Sequence, residues 1–114
     1  MAPNPAPADG PEALPPSPPL QRAWAALPTQ HALPQAGMSR AELEALLARV
    51  AYQLITRQPE ALMQLLYRLD VDEGQAMRAL ELPDEHEQAA ELARLMVDRE
   101  LKRRYWRARY QGRG

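Results

Sequence analysis

The residues best suited to chemistry in this chain lie at its C-terminal end, RELKRRYWRARYQGRG, from Arg99 to Gly114. Seven basic residues there (Arg99, Lys102, Arg103, Arg104, Arg107, Arg109 and Arg113) stand against a single acid, Glu100. Tyr105, Trp106 and Tyr110 are interleaved with them. Cations neutralise phosphates and release their counterions, and aromatic rings stack on unpaired bases. The mixture therefore suits RNA or a single strand better than a duplex groove. The competing explanation is that helices often end in solvated Lys and Arg, which complement the macrodipole. The candidate binding patch is Arg99, Lys102, Arg103, Arg104, Tyr105, Trp106, Arg107, Arg109 and Tyr110. A membrane surface fits less well, because the positive charges encircle the helix instead of edging one apolar face.

Signatures of catalysis are missing elsewhere. The chain has no cysteine, so thiolate metal sites and disulfides are excluded. Of its two histidines, His31 falls in a Pro-rich stretch and His86 in the first turn of a helix. His86-Glu87 has no second histidine four residues on, as a zinc-protease helix requires. Four of the five glycines are Gly10, Gly37, Gly112 and Gly114, and Gly74 stands alone, so no phosphate-cradling loop is present. The run Asp70-Val71-Asp72-Glu73-Gly74-Gln75 invites comparison with a calcium loop ending at Glu81. It fails where a side-chain ligand is needed, at Gly74, and where the turn needs glycine, at Gln75. Asp72 instead reads as the N-cap of a short helix, with Val71 as the apolar residue before it. A non-enzymatic chain with no cofactor and no metal is the expectation.

The basic patch must be positioned by a long element. Asp84 to Tyr110 contains neither Pro nor Gly and predicts one helix of roughly 39 Å. Its first turns are acidic and its last turns basic, in accord with the macrodipole. Two apolar stripes run along it, Leu92, Leu95 and Met96 on one side and Ala93, Val97 and Leu101 opposite. A helix with two stripes is sandwiched, either within its own bundle or between two copies. Because Arg99 and Arg103 continue the first stripe, burial within one domain is expected to stop near Leu101, leaving the end of the helix overhanging. An antiparallel pairing of two such helices would set Glu85, Glu87 and Glu91 against Arg103, Arg104 and Arg107 of a second copy, which makes a homodimer one expected assembly.

The helices that support this element are marked by their caps. Ser39-Arg40-Ala41-Glu42 is a capping box, with Met38 placed to staple Leu43. Leu43, Leu46, Leu47, Val50 and Leu54 then share one face up to about Thr56. Pro59 suits the first position of the next helix, which turns Leu62, Leu65, Leu66 and Leu69 inward with Met63 and Tyr67 beside them. A short helix from Glu73 to Glu81 follows, burying Ala76, Met77 and Leu80, before Pro83 interrupts the chain. The expected fold is all-α: a small bundle of about four helices, the last long and amphipathic, over residues 38–110, with 111–114 flexible.

Ten of the twelve prolines lie in the first 34 residues, and residues 1–37 are expected to form a disordered Pro/Ala-rich tail. Deleting residues 1–19 should then leave the fold intact. Within the tail, Leu20, Trp24 and Leu27 have the i, i+4, i+7 spacing of a short helix at 20–27, a candidate anchor for a partner's groove or for the chain's own bundle. The N-terminus lacks the basic and apolar regions of a secretory signal, and no apolar run reaches membrane-spanning length, so a cytoplasmic location with no membrane partner is expected.

The run Leu65-Leu66-Tyr67-Arg68-Leu69-Asp70-Val71-Asp72-Glu73, followed by an acidic-to-basic helix ending Asp98-Arg99-Glu100-Leu101-Lys102, resembles a group of small uncharacterised bacterial all-helical proteins. The resemblance covers about the last 75 residues. It implies the helical fold and brings no activity with it. The functional expectation is a helical protein-interaction module. The alternative is RNA or single-stranded nucleic-acid binding through the basic-aromatic C-terminal helix.

Overall fold

A computed structural model describes residues 11–28, 32–33 and 37–112. His31, Arg113 and the remaining parts of the expected tail and C-terminal end lie outside the described residues. Among those described, the chain is all-helical. A 3-10 turn at Pro11–Ala13 is followed by α1 (Pro18–Ala25), α2 (Arg40–Arg57), α3 (Pro59–Arg68), α4 (Glu73–Leu80) and α5 (Glu85–Gly112). No helix is long and apolar enough to cross a membrane.

The caps form where the side chains dictate. Ser39 Oγ accepts from the Glu42 N–H at 3.1 Å, and the Glu42 carboxylate accepts from the Ser39 N–H at 2.9 Å, completing the capping box of α2. Asp72 accepts from Gln75 N–H at 2.9 Å to start α4, and Asp84 accepts from Glu87 N–H at 3.0 Å to start α5. Pro59 occupies the first turn of α3, where its missing N–H costs nothing. That helix ends in a Schellman turn, with Asp70 N–H donating to Tyr67 C=O and Val71 N–H to Leu66 C=O. Asp70 takes the left-handed conformation, at φ 60°, that glycine usually supplies there.

Helix α5 is the axis of the bundle. It packs chiefly along α2 and also against α4. The α2–α5 pair is antiparallel: the Arg40 guanidinium at the start of α2 meets Asp98, and Tyr52 farther along α2 stacks on His86 in the first turn of α5. The two rings lie 4.2 Å apart and 8° from parallel. Both stripes of α5 are internal, with Leu92, Ala93, Leu95, Met96 and Val97 all buried. They meet Leu43, Leu46, Leu47, Val50 and Leu54 of α2 and Leu62, Leu65, Leu66 and Leu69 of the α3 region in one core. Alternation between two faces of α5 thus reflects a central helix within a single chain.

Two expectations are corrected here, and one left open between alternatives is resolved. In α4 the buried residues are Ala76 and Ala79, whereas Met77 is 48% exposed. The inward arc of so short a helix is narrow, and small residues allow close approach to α5. Of the two seats offered for the candidate anchor, α1 takes the chain's own bundle: Leu20, Ala23 and Trp24 are buried in the core, with α1 lying against α3. A bundle this small gains from any apolar area the chain can add. The second correction is that burial along α5 does not stop near Leu101, because Arg104, three residues farther on, is buried.

Candidate functional site

Two regions of α5 carry the residues singled out by their chemistry, and they behave oppositely. From Arg99 to Arg104 the charged groups other than the exposed Lys102 are structural. From Tyr105 onward they face outward.

Glu100 is wholly buried and Arg104 is 2% exposed. Four residues apart on one helix, they form an ion pair with Arg104 Nε donating to Glu100 Oε2 at 2.6 Å. The remaining acceptor capacity of the carboxylate is taken up by Ser17, whose N–H donates to Oε2 at 2.8 Å and whose Oγ–H donates to Oε1 at 2.5 Å. Arg104 Nη1 in turn donates to the Leu14 carbonyl at 3.2 Å. Ser17 is the N-cap of α1, where Pro18 and Pro19 fill the first turn, and its Oγ accepts from Leu20 N–H at 3.4 Å. One buried carboxylate thus binds an extended stretch and the start of a helix to the far end of α5. The Pro15–Pro19 run is therefore a docked strap in this structure.

The strap approaches a second fixed point closely. A Cβ added at Gly37 would lie 2.2 Å from the Glu12 carbonyl oxygen and 2.6 Å from Ala13 Cα. Only a residue without a side chain fits under that backbone, so the entry to α2 and the 3-10 turn are matched in shape.

Arg99 and Arg103 serve the C-terminal end of α3. Arg99 donates from Nε to the Asp70 carbonyl at 3.1 Å and from Nη2 to the Asp70 carboxylate at 2.6 Å. Arg103 Nη1 donates to the Leu69 carbonyl at 2.9 Å. Two cations therefore satisfy orphan carbonyls where the dipole of α3 is negative. The hydrogen bond from Arg99 holds the Asp70 carboxyl below its ordinary range. Burial, chiefly, pushes the Arg103 guanidinium below its usual value. Its Nε and Nη2 are buried without a hydrogen-bond partner, and Nη2 keeps only a 3.6 Å ion-pair approach to Glu100. A cleft of about 520 Å³ opens beside this cap, lined by Asp70, Asp72, Arg94, Asp98, Arg99 and Lys102 among others. Its charges largely answer one another: Arg94 bridges Glu91 and Asp98, and Arg99 holds Asp70. Among the described residues no group of acids and histidines is placed to hold a metal ion.

Beyond Arg104 the surface changes character. Tyr105 is 44% exposed, Trp106 52% and Tyr110 73%. Lys102, Arg107 and Arg109 are exposed as well. At roughly 100° per residue, Tyr105, Arg109, Lys102, Trp106 and Tyr110 share an arc of about 140° on the side away from Glu100 and Arg104. The arc is ordered from within. The Arg109 guanidinium carbon lies 5.7 Å from the Tyr105 ring centre and 5.6 Å from that of Trp106, and Nη1 donates to the Tyr105 hydroxyl at 3.1 Å. The Tyr105 and Trp106 rings meet edge to face at 5.6 Å.

The predicted patch is thus divided. Arg99, Arg103 and Arg104 are engaged with Asp70, the α3 carbonyls and Glu100, while Lys102, Tyr105, Trp106, Arg107, Arg109 and Tyr110 face outward. The predicted anchor lies elsewhere: Leu20 and Trp24 are buried and Leu27 is partly buried against the same core, so the chain itself occupies the groove they fit. Reasoning from sequence missed Ser17 and Glu100. The available signal was a serine followed by two prolines, a helix N-cap pattern, and a Glu–Arg pair four residues apart continuing the Val97 stripe.

No family model matches this chain, and no curated protein or solved structure matches it either.

Proposed function

We propose that this chain is a non-enzymatic protein-interaction module that engages its partner through the outward face of the C-terminal end of α5. The observation that carries the reading is the mutually packed cluster of Tyr105, Trp106 and Arg109, with Tyr110 exposed on the same arc, beyond the last buried pair of the helix. Trp, Tyr and Arg are the residue types that dominate binding energy at interfaces. Their rings bury much area with few rotatable bonds, and Arg109 is already held against two of them. Less entropy is therefore lost on binding. The charged groups that orient the helix are spent inside the fold, which leaves aromatic area as the main resource of this surface.

A second reading, RNA or another single strand, is supported by the exposed cations Lys102, Arg107 and Arg109 beside stacking rings. It carries a quantitative expectation. Three phosphate contacts on a single strand give a log–log salt slope of about −2, against about −4 if all six described cations of the patch were free. Titrating single-stranded RNA at several salt concentrations separates the readings. The protein-interaction reading expects no saturable RNA binding near physiological salt. Saturable binding with a slope of about −2, abolished in Trp106→Ala and Arg109→Ala, would overturn it.

A further inference from the structure

Residues 11–24 occupy their seat by chemistry that a second copy of the chain presents identically. The seat is built from residues far away in sequence: α3 beneath α1, and α5 beneath the 3-10 turn. Its polar lock, Glu100 with Arg104, reads three features of the strap: the Ser17 N–H, the Ser17 hydroxyl and the Leu14 carbonyl. Its apolar part takes Leu20 and Trp24. Buried ionic groups of this kind contribute little net stability, and their best-attested use is to fix register. Residues 26–39 join the strap to α2. Fully extended, that connection reaches roughly 45 Å, comparable to the 47 Å long axis of the molecule. A strap leaving its own seat can therefore reach that of a neighbour.

We propose that the groove between α3 and the C-terminal half of α5 is a strap-binding site that also accepts residues 11–24 of a second copy, giving a two-fold dimer by exchange in which each chain supplies Ser17 to the Glu100 of the other. A two-fold exchange satisfies both seats at once and leaves neither strap unpaired. The dimer does not use the α5 stripes, which are internal, and it is independent of the aromatic face proposed above. Attachment in the same chain gives the strap an effective concentration on the order of millimolar. The closed monomer therefore prevails in dilute solution, and exchange follows when chains refold together at high concentration.

The test uses the full chain and a fluorescein-labelled peptide spanning residues 11–28. In the Ser17→Asp chain a carboxylate faces Glu100, so its own strap is repelled while the seat is unaltered. This chain is expected to bind the wild-type peptide at least tenfold more tightly than the wild-type chain does, by fluorescence anisotropy. A Ser17→Asp peptide should bind neither. Circular dichroism establishes that the variant remains helical; if it does not, the wild-type chain alone decides the question. Refolded at about 1 mM and then diluted, it should show a dimer by sedimentation that reverts slowly to monomer. A folded Ser17→Asp chain with no gain in peptide affinity would overturn the proposal, as would wild-type chain that is wholly monomeric immediately after concentrated refolding.

Discussion

Replacing Glu100 by leucine tests whether the buried lock organises the C-terminal half of the molecule. The substitution keeps approximate volume and leaves the Arg104 guanidinium, 2% exposed, without a counter-charge. It also removes the acceptor for both Ser17 donors. Breaking one side of a buried pair costs about 3–5 kcal/mol, a large share of the stability of so small a domain. With a urea dependence of about 1.5 kcal/mol per molar, the unfolding midpoint followed by circular dichroism should fall by at least about 2 M. Adding Arg104→Leu removes the orphaned charge and should restore part of the loss. The double variant stays below wild type by about 1–3 kcal/mol, because the Ser17 N–H remains buried and unsatisfied. A single variant within about 0.5 M of the wild-type midpoint, or a double variant no better than the single, would refute the assignment of Glu100 as the lock.

Other perturbations follow from the same geometry. Gly37→Ala places a Cβ against the Glu12–Ala13 backbone and should cost about 1–3 kcal/mol by overpacking, with faster hydrogen exchange at the Ser17 amide as the local readout. Leu47→Ala, at a wholly buried position on α2, should cost about 2–5 kcal/mol in a urea titration. Val97→Asp should unfold the chain and not release a helical monomer, because Val97 is wholly enclosed by its own core; a well-folded Val97→Asp protein would show that face to be external. For Asp70, held below its ordinary range by Arg99, the contribution to stability is present above a pH of about 4 and is lost as pH falls through the lower folded value. Asp70→Asn should therefore make the acid limb of a stability–pH profile shallower and leave the neutral region with little pH dependence from this site.

Local signals carried most of the helical architecture. The capping box at Ser39–Glu42, the cap at Asp72 and the leucine face of α2 are decided by neighbours within a turn or two, and they form as read. The spacing of Leu20, Trp24 and Leu27 marked a short helix with the chain's own bundle as one seat, whereas the strap before it was not legible because its determinants are remote. Ser17 and Glu100 are 83 residues apart, and a carboxylate on a basic helix looks solvated unless the strap that covers it is known. The same logic divided the basic patch. Composition counts charges, but Arg99, Arg103 and Arg104 find their acceptors only when the end of α3 and the strap are brought alongside α5. Two apolar stripes on α5 were compatible with either a central helix or a shared one, and the packing of α2 and α4 along it shows how one chain buries them.

The central functional claim, that the outward face beyond Arg104 binds a protein, is tested most directly by placing a photo-crosslinking residue at position 106 of the full chain in cells of its source, with Glu81, an exposed residue on another surface, as the control position. A discrete protein adduct is expected at 106, unaffected by nuclease, absent at 81, and lost when Arg109→Ala and Tyr110→Ala are combined. An adduct that disappears with nuclease, or labelling at 106 no greater than at 81, would contradict it.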